Sequence, residues 1–190
     1  MRYRRLVVVV AVIGIASLGL VAFKRVGRRT VSIASVDLST VPKLTCGAAH
    51  ATLPKDFTVF FDAVALPTTD HYPSALQTSS GGDDPATRLF AKTGIWYRAD
   101  TSFDILVPDS LKQDLAVGWG GAPSSPGPGV VSGRCPGADH GWVVHPGGYW
   151  VSRTMCATLV VRASGEEKLA KIGLGAPCPG QSQPDGPSDK

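Results

Sequence analysis

The sequence predicts an all-β protein: a small antiparallel β-sandwich, immunoglobulin-like in architecture, after one N-terminal transmembrane helix. Three observations carry that prediction. Leu6–Phe23 (LVVVVAVIGIASLGLVAF) runs without a charge between two basic clusters. Beyond it, apolar residues alternate in short runs separated by Gly, Pro and Ser clusters such as GAPSSPGPG, the pattern of short strands and tight turns. Four cysteines stand in the same portion, an even number that suits an oxidising compartment.

Residues 1–5 form a basic start with Arg2, Arg4 and Arg5, expected in the cytoplasm. As a helix, residues 6–23 reach about 27 Å at roughly 1.5 Å per residue. That is close to the ~30 Å hydrocarbon core of a bilayer, so the segment is expected to be an uncleaved anchor. A signal peptide has a shorter apolar region, and Lys24, Arg25, Arg28 and Arg29 directly after the span are a poor exit for a signal peptidase. Basic residues balance across the span, so the positive-inside rule does not orient it. The cysteines do, and they place residues 30–190 outside the cytoplasm. A stalk is expected over 24–45, a folded body with one core over 46–178, and a disordered tail over 179–190, where little can be buried.

The basic isoelectric point belongs to the anchor. Seven of the 19 Lys and Arg residues precede Thr30, leaving 12 against all 15 acidic residues, a net charge of about −3. Nucleic-acid binding rests on phosphate neutralisation and is not expected of such a surface. The chain has no asparagine, hence no N-glycosylation sequon.

Strand periodicity places Phe103, Ile105 and Val107 of TSFDILV on one face and Leu159 and Val161 of ATLVVRA on another. FTVFFDAVAL (Phe57–Leu66) is apolar on both faces and reads as one strand buried on both sides. PDSLKQDL (Pro108–Leu115) is the best helical segment, and EEKLAKI fits a helix or an edge strand. WVV (Trp142–Val144) and YWV (Tyr149–Val151) flank HPGG, which predicts a hairpin.

That hairpin would bring Cys135 and Cys156 to its open end, where a disulfide would add about 3 kcal/mol in the loop-entropy model. Cys46 and Cys178 would then tie the first strand to the last. Four cysteines allow three connectivities, and the sequence leaves the other two open. The competing reading is metal. CPGADHGWVVH (Cys135–His145) is C-x4-H-x4-H, and Cys46 and His50 form C-x3-H. His140 and His145 are an odd number of positions apart, so on an unbroken strand they face opposite ways, and no C-x2-C pair is present. No metal or cofactor is expected. The alternative function, an anchored cell-envelope hydrolase or metal-binding domain, would use His140, His145 and Asp139. The sequence has no nucleophile elbow, H-E-x-x-H or P-loop, and Ser110 and Lys112 lack the S-x-x-K spacing. His50, His71, His140 and His145 are therefore read as structural or solvent-facing.

Trp119, Trp142 and Trp150 form a candidate ligand face for sugar rings or a peptide, with Trp96 as a fourth aromatic. Against this, tryptophans on strands usually fill the core. GGYWV (Gly147–Val151), Cys156 with TLVVRASGEE, IGLGAPCPGQ (Ile172–Gln181) and GIWYRADTSFDILVP (Gly94–Pro108) together resemble membrane-anchored secreted β-domain proteins of actinobacteria. The resemblance implies a short basic start, one apolar span and a cysteine-bearing β domain at the cell membrane. It implies no activity and no catalytic residue. The expected function is a non-catalytic binding or assembly module of the cell envelope, its partner an envelope protein or a cell-wall polymer.

Overall fold

Thirteen strands build the described chain: β1 (Ala49–His50), β2 (Thr58–Phe60), β3 (Val64–Leu66), β4 (Ser79–Ser80), β5 (Leu89–Lys92), β6 (Ile95–Arg98), β7 (Phe103–Leu106), β8 (Leu115–Trp119), β9 (Gly129–Ser132), β10 (Trp142–His145), β11 (Gly147–Val151), β12 (Met155–Ala163) and β13 (Glu166–Leu174). The computed structural model describes residues 38–120, 126–135 and 141–185, all within Val31–Lys190, the second of two units into which the chain divides. The anchor expected over 6–23 lies outside the described residues. Among those described, no helix is long and apolar enough to cross a membrane.

The all-β prediction holds, and the ladders between named strands are antiparallel. They form three sheets, ordered β1-β10-β6-β3-β2, β4-β5-β11-β8 and β13-β12-β7-β9. The second and third sheets join into a closed circuit. Val117 of β8 exchanges two backbone hydrogen bonds of 2.9 Å with Gly127, just before β9. At the other end Leu76 bridges Leu174 of β13, and the same segment continues into β4, which pairs with β5.

Alternation explains the packing. Phe103 and Ile105 point inward from β7, as do Ala157, Leu159 and Val161 from β12, with Val161 opposite Ile105. Tyr97, Leu66, Val117, Tyr149 and Ile172 bring all three sheets into one apolar core. Burial of each such side chain stabilises by roughly 1.5–3 kcal/mol. A one-residue slip would turn the whole set to solvent, so the register is fixed.

Five expectations are corrected. Trp142–Val144 and Tyr149–Val151 do not form a hairpin. They belong to β10 and β11, which continue one another through a bend at Pro146 and lie in different sheets. Both pair with the run β5–β6 in a single register, Lys92 opposite Gly148 and Ile95 opposite His145. Proline and glycine signalled a change of direction, but Pro146 turns the ribbon a corner without reversing it. The corner is held by Thr93 N–H donating to Gly147 O (3.0 Å) and Gly120 N–H donating to Pro146 O (3.1 Å).

The disulfides follow from the corner. They join Cys46 to Cys135 and Cys156 to Cys178, with Cα separations of 5.6 and 4.8 Å, not Cys135 to Cys156 and Cys46 to Cys178. Without a hairpin at residue 146, nothing brings Cys135 to Cys156. Cys156 lies instead opposite Gly173, and the chain turns after β13 to return Cys178 to it.

Phe57–Leu66 is likewise a hairpin and not one strand. The turn at Phe60–Ala63 is closed by Ala63 N–H to Phe60 O at 2.9 Å, with Phe61 and Asp62 left-handed at φ 55° and 52°. An apolar turn without glycine gives no punctuation to read. Of PDSLKQDL only Asp109–Leu111 is helical, as a single 3-10 turn. EEKLAKI takes the edge-strand alternative, in β13.

The ends of the body extend past the expected limits. Val41 and Leu44, in the stretch read as stalk, are buried, and Leu44 N–H donates to Val131 O at 2.9 Å. In the stretch read as tail, Ser182 N–H donates to Pro73 O (2.9 Å) and Ala75 N–H to Ser182 O (3.0 Å).

Candidate functional site

The outer face of the second sheet carries a pair of aromatic side chains beside a groove. Cross-strand pairing sets Trp150 of β11 opposite Phe90 of β5, and Phe90 opposite Ser79 of β4, so all three share one face. The rings of Phe90 and Trp150 lie tilted at 35° with centroids 4.5 Å apart. Phe90 is fixed from the other side by Gly148, where an added Cβ would come within 2.8 Å of Phe90 Cε2. Beside Phe90 opens a groove of about 380 Å³ lined by Tyr72, Leu76, Gln77, Thr78, Ser79, Phe90 and Lys92.

Aromatic residues continue past Tyr72. Its ring meets Phe57 edge-on at 5.9 Å, and Phe57 meets Trp96 edge-on at 4.9 Å. The groove thus lies between two aromatic groups, Phe90–Trp150 and Tyr72–Phe57–Trp96, each residue half-buried. Edge-to-face and offset pairs of this kind hold rings rigid beyond their area burial. Burial raises the Tyr72 hydroxyl pKa, and Asp56 and then Asp185 raise it further, so the phenol remains a neutral hydrogen-bonding group.

The segment carrying Tyr72 is anchored at both ends. Tyr72 N–H donates to Thr68 O at 2.8 Å, while the Thr58 hydroxyl lies 2.6 Å from the Thr68 hydroxyl and 3.0 Å from His71 Nδ1. On the other side Gln181 Nε2 donates to the carbonyls of Tyr72 and Ser74, both at 3.0 Å. Gln181 lies three residues from Cys178, so the Cys156–Cys178 bridge backs the same wall.

Of the tryptophans expected to form one ligand face, the geometry does not gather three. Trp119 is 4% exposed; its Nε1–H donates to Thr93 O at 3.0 Å and its ring meets Tyr149 edge-on at 5.2 Å. It braces the corner of the core. Trp142 stands opposite Arg98 in the first sheet, away from the strands that carry the groove. Of these three, only Trp150 shares the face of Phe90 and Ser79. Phe57, Tyr72 and Phe90 were missed because long-range pairing, not sequence proximity, assembles them.

His145 is buried against Tyr97, with its Nε2 2.8 Å from Thr45 O. A nitrogen engaged in that way is not presented to a metal. Asp139 and His140 lie outside the described residues. His50 is exposed on β1 and His71 is held by Thr58. Among the described residues, no group of three or more His, Cys, Asp and Glu is arranged to hold a metal ion.

A second depression, of about 340 Å³, lies at the β12–β13 turn, where Asp104, Arg162 and Glu167 form a row across three strands. Arg162 Nε donates to Glu167 Oε2 at 2.8 Å. Burial raises the Asp104 pKa, and Arg162 partly opposes it. The row is an exposed ion-pair ladder of a kind common on sheet faces. By contrast, the aromatic groove combines ring faces, an amide, hydroxyls and one cation, Lys92. Its described lining has no carboxylate–imidazole or nucleophile–base pair.

Comparison with protein-family models, curated proteins and solved structures finds no match to this chain.

Proposed function

We propose that the chain is a non-catalytic binding or assembly module of the cell envelope, in which the groove between Phe90–Trp150 and Tyr72–Phe57 is the contact surface. In this reading residues 6–23 anchor the chain in the cell membrane as a single pass, with the disulfide-bonded domain outside the cytoplasm. The sheets serve as a sandwich-like scaffold around one core, as in the actinobacterial anchored proteins that the C-terminal third resembles. The partner is an envelope polymer or envelope protein. The observation that carries the proposal is the groove itself: a depression lined by Tyr72, Phe90, Gln77, Thr78, Ser79 and Lys92, with Trp150 packed on Phe90 and Phe57 on Tyr72. The hydrolase alternative finds no comparable support, because His145 is engaged by Thr45.

The test is retention on purified envelope polymer. The full-length chain, in a detergent without a sugar headgroup, is incubated with the polymer and both are recovered. Retention without shortening of the polymer, reduced in Trp150→Ala, supports the module. Released fragments, or retention indifferent to Trp150, would sink it.

A further inference from the structure

We infer that the groove recognises a glycan whose contacting sugars carry no charge. The inference rests on the reading that this groove is the contact surface, and it names the ligand class. Three classes of extended polymer are held by aromatic grooves: peptides, single-stranded nucleic acids and glycans.

A peptide bound by strand addition needs a free sheet edge, and the one edge at this face is β4, which is two residues long and pairs only with β5. Phe90 lies on β5, paired with β4 on one side and β11 on the other; Trp150 lies on β11, paired with β5 and β8. A ligand over Phe90 and Trp150 therefore meets side chains, and β4 offers too short an edge for the run of main-chain hydrogen bonds that is the commonest source of peptide affinity at a sheet.

Nucleic acid also stacks on aromatic rings, but it needs a cationic track for its phosphates. The groove lining has one cation, Lys92, and the Tyr72 end faces Asp56 and Asp185. A phosphate every nucleotide would meet those carboxylates.

What remains matches a sugar chain. A pyranose offers an apolar C–H face and a rim of hydroxyls. The half-buried ring of Phe90, backed by Trp150, suits the first, and Gln77, Thr78 and Ser79 supply donors and acceptors for the second. Because Tyr72 is kept protonated, it adds a neutral hydroxyl and not a charge.

The experiment titrates the full-length chain in nanodiscs, following tryptophan fluorescence. The probes are cellohexaose, chitohexaose, a proline-rich decapeptide and a twelve-nucleotide oligothymidylate. The expected result is saturable binding of a hexasaccharide, weakened about tenfold by Trp150→Ala and by Phe90→Leu, the latter keeping an apolar volume while removing the ring. Melting temperatures of both variants separate loss of contact from loss of fold. Saturation by the peptide or the oligonucleotide alone, sensitive to the same variants, overturns the glycan inference and leaves the groove reading intact. Saccharide binding indifferent to both variants in folded protein overturns the groove reading itself. No response to any probe overturns the inference as stated.

Discussion

The side-chain amide of Gln181 donates to the carbonyl oxygen of Tyr72 at 3.0 Å, across 109 positions of sequence. The same nitrogen donates to Ser74 O, and Oε1 accepts the Cys178 N–H at 3.2 Å. One glutamine therefore joins the groove wall to the disulfide-bonded C-terminal turn. Gln181→Ala leaves the Cys178 N–H and two carbonyls short of partners. A loss of about 1–3 kcal/mol is expected for such a change. Thermal unfolding should show it, at roughly 2–4 °C per kcal/mol for a chain of this size. An unchanged melting temperature would mean that the wall stands without Gln181.

The disulfides make a sharper prediction. Cys46–Cys135 closes a separation of 89 residues and Cys156–Cys178 one of 22. In the chain-entropy model these correspond to about 4.6 and about 3.4 kcal/mol. Replacing Cys46 and Cys135 together by alanine should therefore destabilise more than replacing Cys156 and Cys178, which instead loosens the groove wall. A non-reducing digest should yield one linked peptide pair containing residues 46 and 135, and another containing 156 and 178. A pair joining 135 to 156 would restore the hairpin and overturn the corner at Pro146.

Much of the fold was legible in the sequence, and the losses have a common cause. Thr101–Val107 and Ala157–Ala163 read correctly because alternation is a local property of one buried face. The HPGG corner failed because a turn signal reports a change of direction, not which sheet the chain enters next. The wrong disulfide pairs were inherited from that error. Phe61 and Asp62 failed in the opposite sense: left-handed residues without glycine hide a turn inside an apolar run. Trp150 was legible as a candidate contact, whereas Trp119, two positions beyond Val117 on the same inward face, was core. Phe57, Tyr72 and Phe90 come from three separate segments, brought near one groove only by the tertiary fold. No spacing rule finds such a groove.

Tyr149 supplies a test of the core. Its hydroxyl is wholly buried beneath the groove face and has no hydrogen-bond partner among the described residues. Burial drives its pKa far above the ordinary tyrosine value. Tyr149→Phe removes the unsatisfied group and keeps the ring that packs on Trp119. A gain of about 1 kcal/mol is expected, since an unpaired buried hydroxyl costs roughly 1–3 kcal/mol. A higher denaturant midpoint at unchanged slope would establish it. A lower midpoint would mean that an ordered group satisfies the hydroxyl.

Asp104 predicts the pH dependence. It stands opposite Arg162 at the β7–β12 ladder, half-buried beside Phe103. Burial raises its pKa, and the guanidinium lowers it by less. A carboxyl whose folded pKa is raised takes up a proton on folding. Its contribution is therefore fully present below the unfolded pKa of about 3.9, and is lost as pH rises through the higher folded value. Asp104→Asn carries no such titration. Near neutral pH the variant should match or exceed the parent in melting temperature, and the parent should gain on it as pH falls through the carboxylate range. Arg162 pairs with Glu167 through Nε in either protein, so that contact does not distinguish them. The measurement is the difference between the two melting temperatures from pH 7 to pH 3. If the parent instead lost ground on acidification, the attraction of Arg162 would outweigh burial, and Asp104 would be a stabilising ion-pair partner.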